Sequence, residues 1–581
     1  MSTQQDPRLW PARPSLAFMG CLLVLGALAL VGPALGKAPG LADIFFREQD
    51  APVAVAAVLF LMALRMAPAR WLPVDALLTA GGKVRPTVLI AVLAVLAAAI
   101  AVGGWHGVMR GYPLSADEFL AGFDAAILRE GRLNAVVPEE WRPLRFPLQP
   151  QYMLLAGDGA SWSSGYLPVN AMTLALFDRL GGQALAGAFW AAVSIAALFG
   201  VARRLWPDRP DAVLAAVVLL ATSSQFLIAP MSRYAMPAHL ALNLVWLWLF
   251  LRGGWPSAIA AVAVGFAATG LHQLVFHPLF VAPFLLELWL ARRWRKAGFF
   301  SLAYLAIGLF WLSYWRLFFP AGPEAAGDSR DVWLVQIQYV LERFDAAQLD
   351  GMAKGLARFV TWQNPAAPAL ALLAIVPALR AGFPFRPLVV GMGLMLLFML
   401  VAIPDQGHGW GYRYLHSFLG GLCLLAAFAW VRITEASTPG ARRAAAVGFG
   451  LVAVFSLAVL LPWRAAQASA FVAPYARAEA AITRAEDVDV VAVDATGMWY
   501  AADLVRNDPF LRNRPKVVDL VVMRERHIRA MCSRYRVAVF DRLSGSDLRP
   551  VTYPRRNLEQ LAQNRRLMAE LGCGNRRVMV R

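Results

Sequence analysis

The chain has 581 residues, of which 59% are hydrophobic and only 16% are charged. Soluble proteins carry about a quarter charged residues, so this composition excludes a string of soluble domains and indicates a membrane protein with many spans. The net charge of +18 would suit a nucleic-acid-binding protein, but its distribution along the chain argues against nucleic acid as a partner.

Apolar runs near bilayer-spanning length predict about thirteen transmembrane helices. The first run is too long for the core of a signal peptide, so it is predicted to stay in the protein as an anchor. The predicted spans are residues 15–36, 51–67, 86–104, 183–201, 212–229, 237–251, 256–271, 274–291, 298–319, 365–379, 387–403, 412–431 and 444–461.

The charges of the segments between these spans predict the orientation. Segments that alternate onto one side carry +14 in total, whereas the core loops on the opposite side carry −4. Because Lys and Arg accumulate in cytoplasmic loops, we expect the N-terminus in the cytoplasm and the tail after the last span on the exported side. The long basic tail crosses regardless of its charge.

Three regions are expected along the chain. Residues 1–85 contain a cytoplasmic tail and two spans, and residues 86–462 form a membrane core. Two exported loops of this core are long, at 105–182 and 320–363, and the second contains an amphipathic segment typical of an interfacial helix at 331–344.

The remaining residues, 463–581, are predicted to form an exported domain with a small parallel α/β layer. Short apolar runs typical of strands alternate there with helical patterns, the runs at 488–493, 517–522 and 537–540 and the helices at 498–506 and 524–534. No glycine-rich phosphate loop follows the first strand, so no nucleotide site is expected. Cys532 and Cys573 lie in this tail, where export would permit a disulfide, although their spacing does not establish proximity.

The most informative segment is 115–131 (SADEFLAGFDAAILREG), in the first long loop. Ser115 is a good N-cap and Glu118 completes a capping box three residues later, while Gly131 supplies a C-terminal stop. Capping is therefore a structural explanation of Glu118. Asp117 is not needed for the capping box, and it is either a first-turn acid that stabilises the helix dipole or a functional carboxylate.

An Asp-Glu pair that opens a helix in the first exported loop, followed by an Ala-rich turn and the residues LREGRL, resembles the GT-C glycosyltransferase superfamily. Within it, the similarity is to protein O-mannosyltransferases, aminoarabinose transferases and their uncharacterised bacterial relatives. Residues 162–176, 231–252 and 265–283 are similar to later segments of these proteins, and the resemblance covers roughly residues 86–461. The two spans before this core and the α/β tail depart from the family pattern.

The resemblance implies an all-α polytopic membrane bundle of GT-C type in a bacterial inner (plasma) membrane. The small C-terminal α/β soluble domain is predicted separately, from the strand and helix pattern of the tail. The implied enzyme moves a sugar from a polyprenyl-phosphate carrier to an acceptor hydroxyl on the exported side, with inversion. The acceptor would be an envelope glycan, a lipid or a protein. Asp117 would be the general base, with Glu118 as the neighbouring candidate, because a hydroxyl is a poor nucleophile until a carboxylate accepts its proton.

The leaving phosphate needs cationic partners at the outer face of the membrane. Residues 405–416 (DQGHGWGYRYLH) hold three candidates with aromatic residues between them, namely His408, Arg413 and His416. The alternative for this segment is an aromatic belt with cations that face lipid headgroups. His272 and Arg233 lie near other outer boundaries and are further candidates, although single residues of this kind are more often interfacial.

The implied chemistry requires no cofactor, and no residue is assigned as a metal ligand. A divalent cation is nevertheless possible, because four acids could supply oxygen ligands, namely Asp117, Glu118, Asp124 and Asp158. Two other functions stay open, a glycolipid transporter or flippase and a non-catalytic envelope-assembly protein among membrane lipids. A coupled transporter would need charged residues at mid-membrane, and the apolar runs contain almost none.

Overall fold

The structure is a computed structural model that describes residues 7–36, 40–82, 85–149, 152–155, 160–318, 346–402, 409–551 and 555–580. Its helices are Ala12–Leu28 (α1), Val31–Ala34 (α2), Leu41–Phe45 (α3), Ala51–Met66 (α4), Val74–Gly82 (α5), Pro86–Gly107 (α6), Ala116–Arg129 (α7), Val169–Leu180 (α8), Ala184–Leu205 (α9), Pro210–Ala221 (α10), Ser224–Ile228 (α11), Met236–Arg252 (α12), Trp255–Thr269 (α13), Phe276–Leu290 (α14), Trp294–Phe318 (α15), Ala346–Thr361 (α16), Ala366–Ala381 (α17), Phe385–Ala402 (α18), Leu419–Glu435 (α19), Pro439–Phe455 (α20), Leu461–Thr483 (α21), Glu525–Cys532 (α22) and Arg555–Glu570 (α23). The strands are Ala135–Val136 (β1), Met153–Leu155 (β2), Ser161–Ser164 (β3), Val490–Val493 (β4), Lys516–Asp519 (β5), Val537–Phe540 (β6) and Arg576–Arg577 (β7).

Most of these helices form an apolar bundle of the size that spans a membrane. In the described part of the chain, eight helices are long and apolar enough to cross, and two further pairs qualify together although they bend by 56° and 116°. Apolar side chains such as Leu23, Val95 and Leu302 point outward from the bundle, where lipid tails would cover them. The protein is therefore a multi-pass membrane protein.

All thirteen predicted apolar runs overlap helices, but they do not all establish a crossing. Three of them are the short helices α12, α13 and α14, of 17, 15 and 15 residues. A helix of about 20 residues is needed to cross the hydrocarbon directly. Length and composition therefore support eight to ten spans among the described residues, and the count of thirteen stays a prediction.

The helices before residue 86 are tied to the rest of the bundle by buried ionic contacts. Asp50, which is 1% exposed, accepts a hydrogen bond from Arg358 at 3.1 Å and pairs with Arg464 at 3.0 Å. Arg358 also donates to the carbonyl oxygen of Gly409 at 2.8 Å, four residues before Arg413. Asp50 and Arg464 lie just outside the predicted apolar runs, and each is buried with an oppositely charged partner rather than alone.

A single long helix connects the bundle to the C-terminal domain. Helices α20 and α21 are continuous over Pro439–Thr483, which is 45 residues. At 1.5 Å per residue this helix is about 68 Å long, roughly twice the thickness of the hydrocarbon core. The predicted boundary at residue 463 falls inside it, and strand β4 begins only after it ends.

The C-terminal domain contains the parallel sheet that the sequence predicted. Its strand order is β5-β4-β6-β7, with each neighbouring pair parallel. Cys532, at the end of α22, forms a disulfide with Cys573 across a Cα–Cα distance of 5.6 Å. The predicted helix at 498–506 is wrong, because Tyr500 has a φ of 55°, outside the helical region, and only the short 3₁₀ turn Ala501–Leu504 follows it.

The first long loop packs against this domain and does not stand alone. Its strands form an antiparallel sheet of order β1-β3-β2, and its buried side chains share one hydrophobic cluster with those of the C-terminal domain. The Trp162 indole N–H donates to the carbonyl oxygen of Pro509 at 2.8 Å, and the rings of Trp141 and Tyr535 stack at 4.6 Å. The loop and the domain therefore form one layer over the end of the bundle from which the loop leaves.

Candidate active site

Helix α7 begins as the sequence predicted. The Ser115 N–H donates to the Glu118 carboxylate at 3.3 Å, and the Glu118 N–H donates to the Ser115 carbonyl oxygen at 3.1 Å. Gly131, after the helix, has a φ of 71°, a left-handed conformation that glycine adopts without strain. Glu118 is 2% exposed and turned back on the helix start, so the capping prediction is confirmed.

Asp117 faces away from that cap and meets side chains from three other segments. One carboxylate oxygen accepts a hydrogen bond from the Tyr166 hydroxyl, and the other forms an ion pair with the Arg413 guanidinium. The side chains of Asp117 and Arg413 are 13% and 15% exposed, so the pair is mostly but not wholly enclosed. The His272 ring packs on the Tyr166 ring with a centroid distance of 4.1 Å, which completes one wall of the site.

The two neighbouring acids titrate differently. Burial alone would raise the pKa of Asp117, but Arg413, His272 and the hydrogen bonds from Tyr166 and Arg413 outweigh it and hold that pKa below its ordinary value. Burial also lowers the pKa of His272 to about 4, so this ring is neutral at pH 7 and Arg413 is the charge that keeps Asp117 ionised. At Glu118 burial dominates the opposing hydrogen bond from Ser115 and raises the pKa to about 7.

Arg413 is placed by the chain that enters helix α19. It begins the 3₁₀ helix Arg413–Phe418, and its guanidinium lies over the rings of Tyr234 and Tyr414, at 5.4 and 5.1 Å from their centroids. Such stacking fixes the plane of a guanidinium and adds a cation–π attraction. The Arg413 guanidinium, which was predicted to contact phosphate, is therefore held against Asp117, which was predicted to be the general base.

The other predicted cations lie elsewhere or outside the described residues. His416 is 1% exposed, and neither of its ring nitrogens has a hydrogen-bond partner among the described residues. Arg233 lies over the Trp105 ring at 4.9 Å and close to Gly122, where a Cβ would be only 2.7 Å from its guanidinium. Its charge acts on Glu118, whose pKa it lowers against the effect of burial. His408 lies outside the described residues, as does the predicted interfacial helix at 331–344.

Several groups at this site were not singled out from the sequence. Tyr166 belongs to a segment that resembles the family, but nothing in the pattern showed that its hydroxyl would meet Asp117. Tyr234, whose hydroxyl is 2.8 Å from the Ser115 hydroxyl, lies in another segment that resembles the family, but no pattern linked it to the start of α7. Asp503 and Arg506 come from the C-terminal domain and reach the start of α7, which no local pattern indicates.

The four acids that could have bound a divalent cation do not form a metal site in the described part of the chain. Asp124 accepts from the Ser164 N–H at 3.0 Å and from the Ser163 hydroxyl at 3.3 Å, which anchors strand β3 to α7. Asp158 lies outside the described residues. Among the described residues, no group of three or more His, Cys, Asp or Glu side chains has the arrangement of a metal site.

No family model and no curated protein matches the chain. Similar solved structures include ArnT from Cupriavidus metallidurans in the apo state, at 14% identity and a TM-score of 0.44, over 73% of this chain and 89% of that one. ArnT from the same organism bound to undecaprenyl phosphate is 13% identical with a TM-score of 0.47, over 83% of this chain and 89% of that one. The oligosaccharyltransferase of Archaeoglobus fulgidus in complex with Zn and sulfate is 14% identical with a TM-score of 0.35, over 67% of this chain and 55% of that one. ArnT, an aminoarabinose transferase, and the oligosaccharyltransferase are GT-C superfamily members.

Proposed function

We propose that the protein is an integral-membrane glycosyltransferase that moves a sugar from a polyprenyl-phosphate carrier to an acceptor hydroxyl, with Asp117 as the general base. The observation that carries the proposal is an ionised, partly exposed Asp117 in contact with Arg413 and Tyr166 at the start of α7. It places a proton acceptor beside a cation suited to phosphate. Undecaprenyl phosphate, bound in one of the similar structures, belongs to this class of carrier.

In the proposed reaction, an acceptor hydroxyl donates a hydrogen bond to Asp117 and attacks the anomeric carbon of the sugar. The bond to the acceptor oxygen forms while the bond from the anomeric carbon to the phosphate oxygen breaks, so the anomeric centre inverts. The hydroxyl proton passes to Asp117, and polyprenyl phosphate leaves without a dedicated acid. Arg413 neutralises charge on the leaving phosphate.

The contact between Asp117 and Arg413 gives this mechanism a built-in order. Donor phosphate competes with the Asp117 carboxylate for the same guanidinium. When phosphate draws Arg413 away, the largest effect that opposes burial at Asp117 is lost, so the pKa of Asp117 rises. A carboxylate with a higher pKa is a stronger base, so donor binding would activate the group that the acceptor then needs.

The donor can be identified from lipids that copurify with the detergent-solubilised protein. Mass spectrometry should find a polyprenyl phosphate, with or without its sugar, at a higher level than in Arg413→Ala protein purified in the same way. This change removes a charge-assisted phosphate contact and leaves the lipid-facing surface intact, so ordinary phospholipids serve as the internal control. Equal polyprenyl phosphate in both proteins, or none in either, would contradict the donor assignment.

The proposed reaction takes place on the exported side of a bacterial inner membrane, with the N-terminus in the cytoplasm. The support is the charge difference of +14 against −4 between the two sets of loops.

Reporter fusions test this orientation directly. Fusions after Arg293 and Arg443 should report the cytoplasm, because these residues lie in basic segments. Fusions after Gly182 and Arg581 should report the exported side. The first two fusions are internal controls for the last two, since all four share the same promoter and anchor. A cytoplasmic signal from the fusion after Arg581 would place the C-terminal domain, and with it the proposed site, on the wrong side.

A further inference from the structure

The chain that leads into α7 is held by a residue of the C-terminal domain. Arg506 is 7% exposed, and its guanidinium donates to the carbonyl oxygens of Pro113 and Leu114, the latter at 3.1 Å. The same guanidinium lies over the Tyr112 ring at 4.0 Å from its centroid. Its Nε donates at 2.6 Å to the carbonyl oxygen of Asp503, within the 3₁₀ turn of the domain. One side chain thus joins two backbone segments almost 400 residues apart in the sequence.

A second residue of the 3₁₀ turn, Asp503, lies near the first residue of α7. The Asp503 carboxylate lies near the Ala116 N–H, at the first residue of α7, and this N–H favours the charged form of the carboxylate. This N–H is one of the donors that a helix start leaves without an intrahelical partner. Burial raises the pKa of Asp503 to about 7, against the effect of Arg506, and the charge of Asp117 raises it further. Asp503 therefore lies within electrostatic reach of Asp117.

We propose that Asp503 and Arg506 are positioning residues, through which the C-terminal domain fixes the start of α7 and aims Asp117 at Tyr166 and Arg413. The inference rests on the proposed function, because it takes Asp117 as the general base. It assigns a role to the C-terminal α/β domain, the part of the chain that departs from the family pattern. This role is to complete the site rather than to act as a separate module.

The geometry explains why these side chain types are needed. A guanidinium has a planar fork of donors, so it can bond two consecutive carbonyl oxygens and a third on its own turn, whereas an ammonium is a point donor. The contacts fall on residues 113–116, immediately before Asp117. A displacement of about 1 Å at a reacting group is enough to lower a rate by about 100-fold. The contacts to residues 113–116 therefore act on turnover more than on donor binding.

The test is sugar transfer by membranes that contain the full-length protein, with donor concentration varied. Arg506→Gln should lower kcat by about 10- to 100-fold and leave the donor KM within about threefold, and Arg506→Lys should recover part of the loss. Asp503→Asn keeps an acceptor for the Ala116 N–H and should be mild, whereas Asp503→Ala should resemble Arg506→Gln. These two Asp503 variants keep the proposal testable if Arg506→Gln does not fold.

The matched control is Arg512→Gln. Arg512 belongs to the same domain and pairs with Glu130 at 3.0 Å, at the opposite end of α7, but both side chains are largely exposed. An exposed pair of this kind contributes little, so transfer should stay within about twofold of the unmodified protein. A loss equal to that of Arg506→Gln would show that any weakening of the contact between domain and loop has the same effect, and would overturn the proposal.

A positioning role through Asp117 is separated from a general structural role by combining variants. In an Asp117→Asn background, Arg506→Gln should cost less than about twofold more, because the base it positions is already lost. The full 10- to 100-fold loss in both backgrounds, or no loss in either, would overturn the proposal. If Asp117→Asn alone transferred sugar normally, the general-base function itself would be wrong, which is a different result.

Discussion

Asp117→Asn is expected to lower sugar transfer by about 100- to 10,000-fold, the range that a general base contributes. The amide has nearly the shape of the carboxylate and still accepts a hydrogen bond from Tyr166, but it cannot take a proton from the acceptor near neutral pH. The helix start is unchanged, because its capping contacts belong to Ser115 and Glu118. The measurement is transfer in membranes, together with thermal unfolding of the purified protein, which should stay close to that of the unmodified protein.

The neighbouring acid supplies the control for this result. Glu118→Gln preserves an acceptor for the Ser115 N–H and should reduce transfer only slightly. Glu118→Ala removes the cap and should lower the free energy of unfolding by about 1 kcal/mol. Near-normal transfer by Asp117→Asn would disprove the general-base assignment. If Glu118→Gln were the inactive variant, the roles of the two acids would be reversed.

Local pattern accounts for the parts of the fold that the sequence predicted well. The capping box of Ser115 and Glu118 needs only a spacing of three residues, and the three strand runs of the tail need only short apolar segments between turns. Pattern failed at 498–506, where apolar spacing suggested a helix but the left-handed Tyr500 breaks it. There the contacts of the turn with the first loop override the local preference, as tertiary contacts commonly do.

The candidate site was predictable only in part, because its members are distant in the chain. Asp117 could be found from its position beside a complete capping box, but its partners Tyr166 and Arg413 lie 49 and 296 residues away. The sequence suggested a phosphate contact for Arg413 and could not show that it pairs with Asp117. Asp503 and Arg506 are still further away, and no periodicity or spacing encodes such contacts.

Arg413→Ala is expected to raise the donor KM by about 10- to 100-fold, which corresponds to about 1.5–3 kcal/mol for a hydrogen bond to a charged group. Arg413→Lys should recover only part of the loss, because a point charge does not reproduce the geometry of a guanidinium stacked between Tyr234 and Tyr414. The acceptor KM should change little in both variants and is the internal control. An unchanged donor KM in Arg413→Ala would return residues 405–416 to the aromatic-belt interpretation.

The same variants test whether donor binding releases Asp117. The pH profile of kcat/KM reports the free enzyme, and that of kcat reports the enzyme with its donor bound. In the free protein, Arg413 lowers the pKa of Asp117, so the acidic limb of kcat/KM should lie at lower pH than the acidic limb of kcat. In Arg413→Ala, the charge that lowers the pKa of Asp117 is absent while burial remains. The acidic limb of kcat/KM should therefore move to higher pH and coincide with the acidic limb of kcat. Arg413→Lys retains the charge and should keep the two limbs apart. Coincident limbs in the unmodified protein would mean that Arg413 stays on Asp117 throughout the reaction and that phosphate is held by other groups.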